Sequence, residues 1–236
     1  MMKDKSQNIV WIGTDGQGVY KYTEEEYTLN SYLFSQISTK VQKPVRAIFK
    51  DDLDNLWLGT SGDGIILLPS FLSAQESPIH FSSGNSQLNE NSVYAFAPSR
   101  KNILWIGNDG GLNYYSYTKK KIQKVILPPK IESINYVHSI HEINDSTLWV
   151  TTGGTGVLKL ILDTKQVIPT VKKIKTYIHK EENLIYNYFF TSLQSSDSLL
   201  FGNRGYGIFS IPQKQDVLSN IYFNNNPAEQ AANDIF

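Results

Sequence analysis

Leu104-Trp105-Ile106-Gly107-Asn108-Asp109-Gly110-Gly111-Leu112-Asn113-Tyr114-Tyr115 is a phrase that the chain writes five times. The other copies are WIGTDGQGVYKY from Trp11, WLGTSGDGIILL from Trp57, WVTTGGTGVLKL from Trp149 and LFGNRGYGIFSI from Leu200. The four tryptophans of the chain, Trp11, Trp57, Trp105 and Trp149, all open such a phrase, at spacings of 46, 48 and 44 residues. Of the 16 glycines only Gly84 lies outside the five copies. Rare residues confined to one repeated position mark an internal repeat, and the repeat period decides the architecture.

Each copy reads as a β-hairpin. Leu56-Trp57-Leu58-Gly59 is a short apolar run rich in large and branched side chains, which suits a buried strand. Thr60-Ser61-Gly62-Asp63-Gly64 is a tight turn with glycine available where φ is positive, and Ile65-Ile66-Leu67-Leu68 returns. Further strands flank the hairpins. Upstream are Pro44–Phe49, Ser92–Phe96, Tyr136–Ile140 and Tyr188–Leu193; downstream are His80-Phe81, Ile122–Val125 and Ile174–Ile178. Four strands in a unit of about 45 residues is the size of a propeller blade. The expected fold is therefore all-β, a β-propeller of about five four-stranded blades over residues 1–236, with defining phrases at 10–22, 56–68, 104–115, 148–160 and 199–211. Glu24–Glu26 and Lys180–Glu182 read as polar turns, and Pro227–Ala232 as one helical turn.

The chain ends are out of phase with the repeat. Residues 8–14 already form the second strand of a unit, so the first blade is expected to lack a leader strand, and Ala232–Phe236 reads as the first strand of a further unit. That strand could close a five-bladed ring, which removes exposed sheet edges. The reading preferred here is a piece of a larger propeller array in a multi-domain protein.

Composition removes several classes of function. The 22 Lys+Arg balance 22 Asp+Glu, which argues against a nucleic-acid binder or a polybasic membrane-surface protein. No cysteine means no disulfide framework, Fe–S cluster or thiol nucleophile. No run of 18 apolar residues could span a membrane, and the first residues carry no signal-peptide core.

The phrases resemble the two-component regulator propeller repeat, which runs Leu-Trp-Ile-Gly-Thr, a short glycine-rich turn, then Gly-Leu and an aromatic-polar strand. Leu104–Tyr115 and Ile12–Val19 carry the resemblance, and Leu88-Asn89-Glu90-Asn91-Ser92-Val93 is similar to the family's lead-in to its first strand. Thr151 in place of the first glycine and Leu200 in place of tryptophan depart from it. The resemblance implies the extracytoplasmic sensor region of a bacterial hybrid two-component system. Such a region is periplasmic and non-catalytic, senses polysaccharide breakdown products, and signals to a histidine kinase carried further along the full-length protein. The partners so implied are an oligosaccharide ligand and a second copy of the chain, paired through the full-length sensor.

Chemistry within the chain is sparse. Gly13-Thr14-Asp15-Gly16-Gln17-Gly18 has the glycine density of a phosphate loop but no Gly-Lys-Ser/Thr ending and no following helix. Asp51-Asp52-Leu53-Asp54-Asn55 could hold calcium, but its spacing fits no calcium loop, and a solvated turn bonding its own backbone is the simpler account. Asp15, Asp63, Asp109 and Asp145 offer no singled-out pair for glycoside hydrolysis. Among His80, His138, His141 and His179, the pair His138 and His141 lies three apart in one strand, on opposite faces, and could share a metal only through a bulge. No metal site, cofactor or catalytic residue is expected.

The repeat tryptophans, with Gly13, Gly59, Gly107 and Gly202, read as structural, the indoles packing blade against blade. Ligand candidates are turn residues that vary between copies: Gln17, Asp63, Asp109, Asn203, Arg204 and Tyr206. Tyr114, Tyr115 and Tyr117 form a further aromatic group, and Lys119-Lys120-Lys121 is a solvated hairpin. Beside ligand sensing, a protein-interaction scaffold and a carbohydrate-active enzyme are the alternatives.

Overall fold

A computed structural model describes residues 1–4, 8–23, 28–31, 43–70, 78–131, 133–166, 168–178, 187–212 and 217–222. The readings placed on Glu24–Glu26, His179, Lys180–Glu182, Pro227–Ala232 and Ala232–Phe236 lie outside these residues. The described chain is all strand and turn, in five four-stranded antiparallel sheets with no helix.

The sheets are β1–β4 (Met2–Asp4, Ile9–Gly13, Val19–Thr23, Thr28–Ser31), β5–β8 (Val45–Lys50, Leu56–Thr60, Ile65–Leu68, Ile79–Phe81) and β9–β12 (Val93–Pro98, Ile103–Asn108, Gly111–Ser116, Lys121–Lys124), followed by β13–β16 (Val137–Asn144, Thr147–Thr152, Val157–Leu162, Val171–Tyr177) and β17–β20 (Phe189–Gln194, Ser198–Asn203, Gly207–Pro212, Ser219–Tyr222). Within each sheet the strands pair in chain order, so each blade is a meander. The phrases supply the central hairpins, as read. One expectation is corrected: the first blade has a leader strand, because Met2, Lys3 and Asp4 pair with Trp11, Val10 and Ile9. Three residues with a single apolar side chain carry too little pattern to announce a strand.

The first strands of successive blades touch one another, β5 with β9, β9 with β13 and β13 with β17, which places them around the propeller axis. Apolar side chains collect in four seams, one between each pair of consecutive blades. Every seam holds the tryptophan of the earlier blade. Trp11 packs with Leu56, Leu58 and Ile66; Trp57 with Leu104, Ile106 and Tyr115; Trp105 with Leu148, Val150 and Leu158; and Trp149 with Leu199, Phe201 and Phe209. The indoles are thus blade-to-blade packing groups.

The repeated glycine two residues after tryptophan has a different cause from the turn glycines. A Cβ on Gly107 would stand 2.7 Å from both the carbonyl oxygen and Cγ1 of Val137, and one on Gly59 would stand 2.8 Å from Cγ1 of Val93. These glycines let the next blade's first strand approach the backbone closely. The glycines at the turn tips hold positive φ, as at Gly62 (98°) and Gly64 (74°). The turn is locked by threonine: the Thr60 hydroxyl donates to the Gly64 carbonyl (2.9 Å) and accepts from the Asp63 amide (3.0 Å), and Thr14 and Thr152 do the same in their blades. The Gly62 and Gly64 amides then donate to the Asn91 carbonyl of the next blade (3.2 and 2.8 Å), and Gly154 and Gly156 likewise to Asn187.

The Asp51 turn also departs from expectation. Asp51 does bond its own backbone, accepting from the amides of Leu53 (3.0 Å) and Asn55 (2.9 Å). It is buried, however, and not solvated. Its carboxylate also accepts from the Asn55 amide side chain (3.0 Å), the Trp57 indole (2.8 Å) and the Tyr117 hydroxyl of the next blade (3.1 Å). Five donors offset the cost of removing the charge from water. The same burial, with Asp51 beside it, pushes the Tyr117 phenol far above its ordinary range.

Candidate functional site

The first strands carry a feature with no counterpart in a regular hairpin. Val45 pairs with Thr60 and Ala47 with Gly59, leaving Arg46 unpaired in a bulge. The same two-for-one step leaves Tyr94 unpaired in β9, His138 in β13 and Phe190 in β17. A β-bulge re-aims the extra residue and frees it from the ladder. Four blades therefore present one side chain each at the same register, on strands that surround the axis.

A second position joins this ring. The fourth residue after the phrase's tryptophan, or after Leu200, bonds through its amide to the residue preceding the first strand. Ser61 reaches Pro44 (2.8 Å), Asp109 reaches Ser92 (3.0 Å), Gly153 reaches Tyr136 (2.9 Å) and Arg204 reaches Tyr188 (2.9 Å). Those bonds hold Asp109 and Arg204 beside the bulges.

The result is a continuous aromatic cluster across blades three, four and five at one mouth of the axis. The rings of Tyr94 and His138 lie 4.7 Å apart between centroids, His138 and Tyr188 5.5 Å, His138 and Phe190 5.3 Å, and Tyr188 and Phe190 4.8 Å. The Arg204 guanidinium sits 5.7 Å from the Tyr188 ring and 6.0 Å from that of Phe190. Gly153 makes room: a Cβ there would meet the Tyr188 ring at 2.8 Å and Tyr136 at 3.0 Å. Tyr136 is 48% exposed and holds φ of 54°, a left-handed conformation uncommon outside glycine and often found where function demands a shape.

The electrostatics are uneven. Burial holds the His138 imidazole down at about 4, with Asp109 pulling weakly the other way, so the ring is neutral near neutral pH. Its Nε2 is buried and makes no hydrogen bond among the described residues. Burial, reinforced by the nearby negative charge of Asp109, raises the Tyr94 phenol. Arg46 pairs with Asp15 at 3.4 Å, on the exposed side of blades one and two.

The structure divides the turn residues expected to bind ligand. Asp109 and Arg204 join the axial cluster. Asn203 is fully buried at the end of β18. Gln17, Asp63 and Tyr206 stand two residues further along their turns: the Gln17 amide closes on Thr14, Asp63 contacts His80 through its carbonyl (2.5 Å) and carboxylate (3.5 Å), and Tyr206 packs on the last seam. Tyr114 and Tyr115 are buried, and Tyr117 is bound to Asp51, so that aromatic group belongs to the seams. The bulge that could have united His138 and His141 exists, yet His141 turns to the Ser192 carbonyl (3.0 Å) and His138 to the aromatic cluster. Among the described residues no three His, Asp or Glu side chains converge on a metal position.

Tyr94, Tyr136, Tyr188 and Phe190 escaped the sequence reading, and His138 is weighed there only as a metal ligand. The signal was present as a bulky residue, a free residue and a small one: Val45-Arg46-Ala47, Val93-Tyr94-Ala95, Val137-His138-Ser139 and Phe189-Phe190-Thr191.

Fold and mouth together define a repeat propeller displaying variable side chains at one register of successive blades. No protein-family model matches the chain. It is 27% identical over 226 residues to Histidine kinase P4 of Formosa agariphila, a match covering 92% of this chain and 15% of that protein. Among solved structures it is similar to the extracellular domain of BT3049 of B. thetaiotaomicron, assigned as a hybrid two-component system (TM-score 0.71, 18% identity, 98% of this chain and 29% of that one). It is also similar to the extracellular domain of BT4673 from the same organism (TM-score 0.55, 14% identity, 98% and 43%). A third likeness is PorZ of the type-IX secretion system of Porphyromonas gingivalis (TM-score 0.60, 14% identity, 84% and 30%). These structures share the fold, and the chain spans less than half of each. The repeat resemblance read from the phrases thus meets a histidine kinase in sequence and extracellular domains of two-component systems in structure.

Proposed function

We propose that this chain is a non-catalytic ligand-sensing propeller from the extracytoplasmic, periplasmic part of a bacterial hybrid two-component sensor. It recognises an oligosaccharide at the axial mouth and signals to a histidine kinase elsewhere in the full-length protein. The observation that carries the reading is the cluster of the bulge residues Tyr94, His138 and Phe190 with Tyr188 beside them and exposed Tyr136 at its edge. Sugar rings have apolar faces and hydroxyl rims, and half-buried aromatics with polar tips match both. The ring is held by ladders and seams that the ligand need not order, which limits the entropy lost on binding. Support for the sensor role comes from the histidine kinase relative and the extracellular two-component domains of the same fold.

Isothermal titration of the chain against neutral and acidic oligosaccharides tests this. One or more members of the panel bind, and Tyr136→Ala with Tyr188→Ala weakens that binding about 10-fold or more while the fold persists. Absence of binding by the intact propeller, or binding indifferent to both variants, overturns the site.

A further inference from the structure

Resting on the mouth as ligand site, we infer that its ligand carries an anionic substituent, a carboxylate or a sulfate ester, captured by Arg204. Of the two acids near the mouth, Asp109 lies by Tyr94 and His138 and makes no ion pair with Arg204 among the described residues, while Asp15 pairs with Arg46. Arg204 has no such partner. It is exposed, and among the described residues its guanidinium makes contacts only with the rings of Tyr188 and Phe190. The other groups packed into the cluster are Tyr136 and a neutral His138, and neither brings a negative charge.

The position is also fixed. The Arg204 amide is bonded to the Tyr188 carbonyl at 2.9 Å, so the side chain leaves the backbone beside the ring it packs on. A guanidinium held against an aromatic wall keeps its planar fork of N–H donors for a bidentate oxyanion, and the wall lowers the dielectric around that contact. A sugar ring resting on the tyrosines would bring an acidic substituent within reach of the fork. The equivalent positions in the other blades are Asp15, Ser61, Asp109 and Gly153, so blade five alone supplies a cation there.

The test uses the chain with matched pairs of probes. One pair is oligogalacturonides of two to six sugars and their carboxyl-reduced neutral forms; the other is sulfated galactan oligosaccharides and their desulfated forms. The anionic member of one pair binds about 10- to 100-fold more tightly than its neutral partner, the size of a charge-assisted contact. Arg204→Ala weakens binding of the anionic member far more than of the neutral one, so the preference is lost; Arg204→Lys, a point charge without the fork, restores it only in part. The pair showing the effect identifies carboxylate or sulfate. Equal binding of anionic and neutral members, or a preference that survives Arg204→Ala, overturns the anion site and leaves the oligosaccharide reading standing. No binding by any probe overturns both. Arg204 is exposed, so its variants fold, and a melting curve matching the parent's verifies this for each.

Discussion

At the seam between blades two and three, Trp57 is fully buried and its indole N–H reaches the Asp51 carboxylate at 2.8 Å. At the axial mouth, His138 is packed among three aromatic rings and its Nε2 reaches nothing among the described residues. The two regions are built from similar side chains. In the seam, Tyr115 stands edge-on to Trp57 at 4.7 Å and Tyr117 at 6.4 Å, and the polar ends of the tryptophan and Tyr117 meet one acid. The mouth has comparable ring distances, yet its polar ends are left for something else. A dry seam with its donors met is architecture; a half-open cluster with donors in reserve is a receptor surface.

The largest test of that contrast is Asp51→Ala. It strands the Trp57 and Tyr117 donors in the seam, and the fold loses about 3–5 kcal/mol by urea denaturation. Asp51→Asn keeps the shape and part of the acceptor capacity and costs less. A loss below about 1 kcal/mol for the alanine variant would erase the distinction between the regions.

Next is acid. The folded state holds His138 at about 4 against an ordinary 6.5, so the unfolded chain binds the extra proton first. Stability is therefore full above pH 6.5 and falls as pH drops toward 4, by up to about 3 kcal/mol. Urea midpoints at pH 7 and pH 4.5 measure the loss, and His138→Phe removes this site's share of it. An imidazole that titrates near 6.5 in an NMR titration would contradict the burial.

The smallest effect joins the two regions. Gly107→Ala places a Cβ 2.7 Å from the Val137 carbonyl, one residue before the His138 bulge, at about 1–3 kcal/mol. Gly62→Ala meets nothing within 4 Å and pays only for its φ of 98°, about 1 kcal/mol. Equal costs would mean that close blade approach is not what the repeated glycine serves.

The seams were legible because their signal is periodic and redundant: four tryptophans in one phrase position leave few alternatives. The hairpin turns were legible through their glycines. The leader strand Met2–Asp4 was not, since three residues hold no alternation to read. The buried state of Asp51 was hidden because its decisive donor, Tyr117, lies 66 residues away in another blade. At the mouth, Asp109 and Arg204 stood out as turn residues that differ between copies. Their aromatic partners did not, because a bulge shifts register by one residue without changing composition, and each blade contributes only one such side chain.

The bulge has a consequence for how such a molecule can change. Arg46, Tyr94, His138 and Phe190 occupy a position that pairs with no ladder partner, so the backbone asks little of what stands there. Each of these four blades offers one nearly free letter, and together they spell a short word along the axis. Rewriting a letter alters what the mouth prefers while the scaffold keeps its grammar, so exchanging bulge residues between blades is a direct route to propellers with new tastes.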